Sequence, residues 1–246
     1  MEADKFLKMQ RDTYDYLASH WSVHDRDPLV GCFDEHETWE DYKYLFKGMF
    51  DFHGNAPYLM TASDSIILDF GCGPARNICR YGRHFKRVDG VDISPEVIEK
   101  AKDWITDKDS WKDNKLFVCS GKDLSGIEDS QYDAVMSTIT LQHICVHKIR
   151  LNLFKEFFRV LKPGGWFTAQ MGFGVGKEGS VPYSSNYYDA PTTNGWHDVR
   201  VEDPEELRED LEQAGFHKFK YFVRPPGPCD NHPNWIFFRG RKLWSK

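Results

Sequence analysis

The chain has 246 residues, a formal net charge of -6 and a pI near 5.9, with 40% hydrophobic and 15% aromatic residues. That length buries the core of one large domain without a disulfide or metal staple, and the acidic balance speaks against an extended phosphate-tracking surface, so nucleic acid is a poor first partner. No apolar run approaches the roughly 20 residues of a membrane span, the start MEADKFLKMQRD is too charged for a secretory signal, and the six cysteines are scattered without paired zinc spacing. A cytoplasmic protein with reduced thiols and no membrane association is expected.

Residues 4–18 predict an amphipathic helix with Phe6, Leu7, Tyr14 and Leu17 near one face. A loop through Asp27-Pro28 leads to a second helix over residues 39–50. Residues 1–62 are therefore read as a helical cap, ahead of a main domain over residues 63–246. Ser65-Ile66-Ile67-Leu68-Asp69-Phe70 is a run of strand length, broken by Gly71-Cys72-Gly73-Pro74 and followed by a helix over 75–85. Residues 87–92 predict a second strand. Ser94 is a good N-cap with Pro95 at the first helical position, where its missing N–H costs nothing, and the helix runs to about residue 106.

Strands follow over 116–119, 132–137 and 166–171, with a helix over 147–161 and Lys162-Pro163-Gly164-Gly165 as a turn. Residues 172–199 lack periodicity and are rich in Gly, Ser, Tyr and Asn, as loops with a functional role often are. Asp203-Pro204-Glu205-Glu206 opens a last helix that Gly215 ends. Residues 217–224 and 235–241 predict two strands joined too briefly for a helical crossover, hence antiparallel. The alternation predicts an α/β fold: a mostly parallel seven-stranded sheet with an antiparallel last strand and helices on both faces.

The glycines of Asp69-Phe70-Gly71-Cys72-Gly73 let the backbone turn sharply at a strand's carboxyl end and approach a ligand closely. Asp92 closes the next strand, where a carboxylate can accept both hydroxyls of a ribose. A dinucleotide fingerprint is disfavoured, because its third glycine position holds Arg76. His143 and His147, four residues apart, lack a third ligand, so no metal is expected.

With these residues in place, the chain resembles the class I S-adenosylmethionine-dependent methyltransferases of small-molecule type. Ile67-Leu68-Asp69-Phe70-Gly71-Cys72-Gly73 matches the family's first motif, Gly90-Val91-Asp92-Ile93-Ser94 its second, and Tyr132-Asp133-Ala134-Val135-Met136-Ser137 its fourth strand. Leu141-Gln142-His143-Ile144 and Arg159-Val160-Leu161-Lys162-Pro163-Gly164-Gly165 are similar to its later landmarks. The resemblance implies S-adenosyl-L-methionine as cofactor. Asp69 and the backbone of Gly71, Cys72 and Gly73 would hold the methionine part, Asp92 the ribose and Ile93 one face of the adenine. Gly121, Lys122, Asp123 and Leu124 would flank the other face, and Thr138 and Gln142 would complete the cofactor set. Where many relatives carry an Asp after strand three this chain has Ser120, with Asp123 as its substitute. Tyr14-Asp15-Tyr16-Leu17-Ala18-Ser19-His20-Trp21 resembles the stretch that closes a helix over the cofactor, with Tyr14 and Trp21 near the sulfonium.

Methyl transfer from a sulfonium needs alignment in a dry pocket more than a nucleophilic side chain. For a hydroxyl acceptor a general base helps, and His143 and the His197-Asp198 pair are the candidates. The expected acceptor is a hydroxyl or amine of a natural product, sugar or polar metabolite. The alternative is a binding protein that keeps the cofactor pocket without catalysis. A short-chain dehydrogenase is disfavoured because no tyrosine is followed four residues later by lysine, and a DNA amino-methylating enzyme because Ser137-Thr138-Ile139-Thr140 replaces the motif it would need.

Overall fold

The computed structural model describes residues 2–20, 44–56, 58–106, 113–175, 180–188, 198–225 and 233–244. Seven strands form one sheet: β1 (Ile66–Phe70), β2 (Arg87–Asp92), β3 (Leu116–Val118), β4 (Tyr132–Thr138), β5 (Leu161–Phe173), β6 (His217–Arg224) and β7 (Asn234–Arg241). Their order is β6-β7-β5-β4-β1-β2-β3. β7 runs antiparallel to both neighbours, and the pairs from β5 to β3 are parallel. The helices are α1 (Glu2–His20), α2 (Arg76–Tyr81), α3 (Pro95–Thr106), α4 (His147–Val160) and α5 (Pro204–Gln213). The expected architecture is thus the observed one.

Strands buried on both faces explain the near-continuous apolar runs. Leu68 and Phe70 join Phe154, Phe157 and Phe167 on one face, while Ile67, Ala134 and Met136 meet Phe46, Ile78 and Tyr81 on the other. Each buried phenylalanine stabilises the fold by about 1.5–3 kcal/mol. The chain leaves β1 for β2 on one side and later crosses to β4 on the other, so strand order reverses between β1 and β4. In open α/β sheets ligands bind at that reversal, outside the strands' carboxyl ends.

Three expectations need correction. Lys162-Pro163-Gly164-Gly165 is no free turn: β5 starts at Leu161, which pairs with Tyr132, and the next pair is Ala134 with Trp166, so these residues bulge out of a continuous strand. The tail holds the bulge, with Gly164 N–H donating to Lys242 O (2.8 Å) and Lys242 N–H to Gly165 O (2.9 Å). The predicted second helix stops early: residues 44–46 are helical, but Phe50 belongs to a short strand, Phe50–Asp51, paired with Met60–Thr61. The part of that helix before residue 44 lies outside the described residues.

Within residues 172–199, the third correction, β5 runs on to Phe173, and Val181–Pro182 pairs in parallel with Val199–Arg200. The described part is fastened down. Buried Arg150 of α4 donates to the carbonyls of Ile144 and Tyr183 and lies over the Tyr183 ring (4.6 Å). Tyr183 Oη donates to Asp210 of α5 (2.6 Å), and His147 Nε2 reaches the same carboxylate (2.8 Å).

Candidate functional site

At the strand reversal Asp69, the penultimate residue of β1, is fully buried. Asn77 of α2 donates its Nδ2 to Asp69 Oδ1 (3.4 Å) and to Thr138 Oγ1 (2.8 Å), which ties β1 to the end of β4. Asp69 Oδ2 has no partner among the described residues. Burial pushes this carboxyl up to about 7; Asn77 and Arg76 pull it down, and the nearby Asp92 adds to the rise. A buried carboxylate with one oxygen unpaired is costly unless a donor, best a cation, meets it.

The two glycines that follow have different reasons. Gly71 sits at φ +69°, and a Cβ there would stand 2.1 Å from Thr140 Cγ2, so glycine is required for packing. Gly73 sits at φ +53° with nothing within 4 Å of a Cβ position, which leaves the turn open for close approach. The amides expected to hold the methionine part are engaged within the chain: those of Gly71 and Cys72 donate to Val91 O (2.8 and 3.1 Å), and that of Gly73 to Asp92 Oδ2 (3.1 Å). The Cys72 thiol packs in the core, where a Cβ at Gly90 would come within 2.8 Å of its sulfur. Two non-glycine residues beside this turn, Ala75 (φ 73°) and Ile139 (φ 58°), take left-handed backbone conformations, each costing about 1–2 kcal/mol and concentrating strain at the strand ends.

Asp92 ends β2 almost buried, accepting the amide of Ser94 on Oδ1 (3.1 Å) and that of Gly73 on Oδ2. A carboxylate has about four lone-pair sites, so each oxygen keeps capacity for one more donor, which suits two adjacent hydroxyls. Burial raises this carboxyl too, against the amides that lower it. Ser94 caps α3 as its position predicts, accepting the Val97 amide (3.0 Å), and its hydroxyl also donates to Asp15 of α1 (2.5 Å). That bond brings α1 to the cleft.

The other predicted residues divide. Gly121 touches Ile93 and Leu7, since a Cβ there would lie 2.5 Å from Ile93 Cδ1 and 2.9 Å from Leu7 Cδ2. Lys122 is exposed and reaches Asp4 (3.4 Å), while Leu124 lies in the core. Asp123 serves its own turn, accepting the Ser125 amide (3.3 Å), and Ser120 Oγ accepts the amides of Lys122 and Asp123. Gln142 Oε1 accepts the Gly172 amide (3.0 Å) and so braces β5 where β4 has turned away. Trp21 and His197 lie outside the described residues.

His143 ends the short 3-10 turn after β4 and donates Nδ1–H to Asp198 Oδ1 (2.6 Å); Asp198 is 1% exposed. Tyr14 of α1 lies half-buried near both acids: burial together with the charges of Asp92 and Asp198 raises its hydroxyl well above the ordinary range. Tyr14 thus stands between Asp92 and the His143–Asp198 pair. Asp15 and Asn77 escaped sequence reasoning because their partners lie 79 and 61 residues away. Asp198 was visible only as a neighbour of His197. Among the described residues no group of three His, Cys, Asp or Glu side chains could hold a metal ion, and no helix is long and apolar enough to cross a membrane.

The geometry suits an elongated ligand with a cation at Asp69 and vicinal hydroxyls at Asp92. Residues 68–169 match the model of the family described as "Methyltransferase domain". The malonyl-[acyl-carrier protein] O-methyltransferase of Marinomonas sp. (strain MWYL1) is 29% identical over 48% of this chain and 40% of its own length. The "Probable methyltransferase ltbC" of Aspergillus luteorubrus is 30% identical over 44% of the chain and 40% of its own length. The chain thus spans less than half of these curated relatives. A crystal structure of a SAM-dependent methyltransferase from Methanosarcina mazei superposes with a TM-score of 0.58 at 22% identity, covering 74% of this chain and 94% of that one.

Proposed function

We propose that the chain is a class I S-adenosylmethionine-dependent methyltransferase and that it methylates a hydroxyl or amine of a small polar molecule. The observation that carries this reading is the buried Oδ2 of Asp69, without a partner among the described residues, close to the Asp92 carboxylate. S-adenosyl-L-methionine supplies a methyl group on a cationic sulfur with a good leaving group. Asp69 would hold the ammonium of its methionine part, Asp92 the ribose hydroxyls, and Ile93 with Gly121 the edge of the adenine.

The remaining work is alignment and removal of one proton. The acceptor's lone pair would form the bond to the methyl carbon as the carbon–sulfur bond breaks with its electron pair left on sulfur, and His143 would take the acceptor's proton. With Nδ1 bonded to Asp198, Nε2 is the nitrogen that takes it, and the Asp198 carboxylate stabilises the resulting imidazolium. Tyr14 and α1 cover the cleft and help to exclude water. The net charge of -6 favours a small acceptor over nucleic acid, and the free thiols of Cys72 and Cys119 suit a cytoplasmic, reducing compartment.

Calorimetric titration with S-adenosylhomocysteine tests the cofactor assignment. Asp92→Ala should weaken binding by about 10- to 100-fold, the ~1.5–3 kcal/mol of hydrogen bonds to a charged acceptor. Unchanged affinity in a folded Asp92→Ala protein would refute it.

A further inference from the structure

One buried polar side chain has no part in the cofactor site described above. Gln170 of β5 is 1% exposed, and both its Nε2 and its Oε1 lack a partner among the described residues. It stands opposite Thr138, at the last rung where β4 and β5 are paired. One step further on, β4 has turned away and the Gly172 amide must take the Gln142 side chain instead. Gln170 therefore sits where the sheet begins to split.

Strand alternation puts Gln170 on the face that carries Thr168 and Trp166, shared with Thr138 and Asp69 on the neighbouring strands. Asp69, Asn77, Thr138 and Gln170 thus form one buried polar row across three strands, the first three joined by hydrogen bonds. Two acceptor oxygens, Asn77 Oδ1 and Gln170 Oε1, remain unpaired beyond the Asp69 oxygen, against a single donor, Gln170 Nε2. Among the described residues none uses this carboxamide, and a leucine or methionine would fill the same volume without an unpaired dipole.

Resting on the methyltransferase reading, we propose that Gln170, with Asn77 beside it, forms the acceptor subsite and selects a small molecule rich in hydrogen-bond donors, a hydroxyl or amine compound and not a carboxylate. An anionic acceptor would meet two carbonyl oxygens with a single amide nitrogen to offer, beside the Asp69 carboxylate already taken by the cofactor's ammonium. A hydroxyl-bearing acceptor, with or without an amine, can donate to the carbonyl oxygens and accept from that nitrogen.

The test compares wild type with Gln170→Leu, a change of similar volume that removes both polar ends. Three measurements are needed: thermal unfolding of the ligand-free protein, calorimetric affinity for S-adenosylhomocysteine, and release of that product from S-adenosylmethionine with catechol, ethanolamine or malonyl-coenzyme A as acceptor. The proposal expects an unfolding temperature equal to or above wild type, unchanged S-adenosylhomocysteine affinity, faster turnover of catechol or ethanolamine than of malonyl-coenzyme A, and a KM for the better of these raised at least about tenfold. A lower unfolding temperature would make Gln170 a structural residue, and loss of S-adenosylhomocysteine affinity would assign it to the cofactor. Preference for malonyl-coenzyme A, absence of turnover with both other probes, or an unchanged KM would also overturn it. Failure of wild-type protein to bind S-adenosylhomocysteine at all would break the methyltransferase reading itself, a result separate from these.

Discussion

The affinity for S-adenosylhomocysteine should depend on pH through Asp69, with a sign the structure dictates. In the free protein burial pushes the Asp69 carboxyl up to about 7, because Oδ2 has no partner and only Asn77 and Arg76 favour the charge. To hold the ligand's ammonium the carboxyl must be ionised, so below that value binding carries the cost of removing a proton. At pH 8 roughly 90% of the free protein is ready to bind and at pH 6 roughly 10%, which weakens affinity about tenfold, or ~1.4 kcal/mol, over that interval. Above pH 8 the affinity should level off. Calorimetry at several pH values, with Asp69→Asn as control, isolates the group: the variant should bind more weakly at pH 8 and show no such slope. A flat wild-type profile between pH 6 and 8, or the same slope in Asp69→Asn, would refute the reasoning. Without ligand the linkage runs the other way. The folded carboxyl titrates above its ordinary value of 3.8, so the stability this group contributes falls as pH rises from about 4 to about 7.

The two glycines of the turn should fail differently. Gly71→Ala places its methyl 2.1 Å from Thr140 in a left-handed conformation and should cost about 2–4 kcal/mol in urea unfolding, whereas Gly73→Ala should cost only ~1 kcal/mol yet abolish S-adenosylhomocysteine binding. The opposite ranking would put the ligand elsewhere. His143→Ala should lower kcat for a hydroxyl acceptor by about 100-fold or more at unchanged S-adenosylhomocysteine affinity. Asp198→Asn should also lower kcat, because the imidazolium formed on proton transfer loses its buried counter-charge. If both variants keep wild-type kcat, the pair is structural.

What the sequence made legible was what is local in it. Alternating apolar runs located all seven strands, Ser94-Pro95 the start of α3, and Gly215 the end of α5. The carboxylates at the ends of β1 and β2 stood out because a short motif places them. The LKPGG segment was misread because its pairing partner is the tail around Lys242, far away in the chain, and turn residues look alike in a turn and in a bulge. Asn77, Gln170 and the Asp198 partner of His143 left no signal of their own. Their importance comes from unpaired atoms or from contacts across 55 residues and more, which periodicity does not report.

The fastened insertion has a consequence for how this chain could change over generations. The residues assigned to the cofactor between β1 and β4 fall inside the stretch that matches the family model, whereas Gln170, Asp198 and Tyr14 all lie beyond it. The Arg150–Tyr183–Asp210 lattice anchors the insertion through α4 and α5, while Asp198 meets the cofactor half through His143. On the proposed reading, substitutions in the insertion away from Asp198 would alter which acceptor is read with little effect on how the methyl donor is held. Acceptor preference and cofactor affinity would then be largely separate heritable traits of one chain, with the lattice keeping the insertion in place while its sequence drifts.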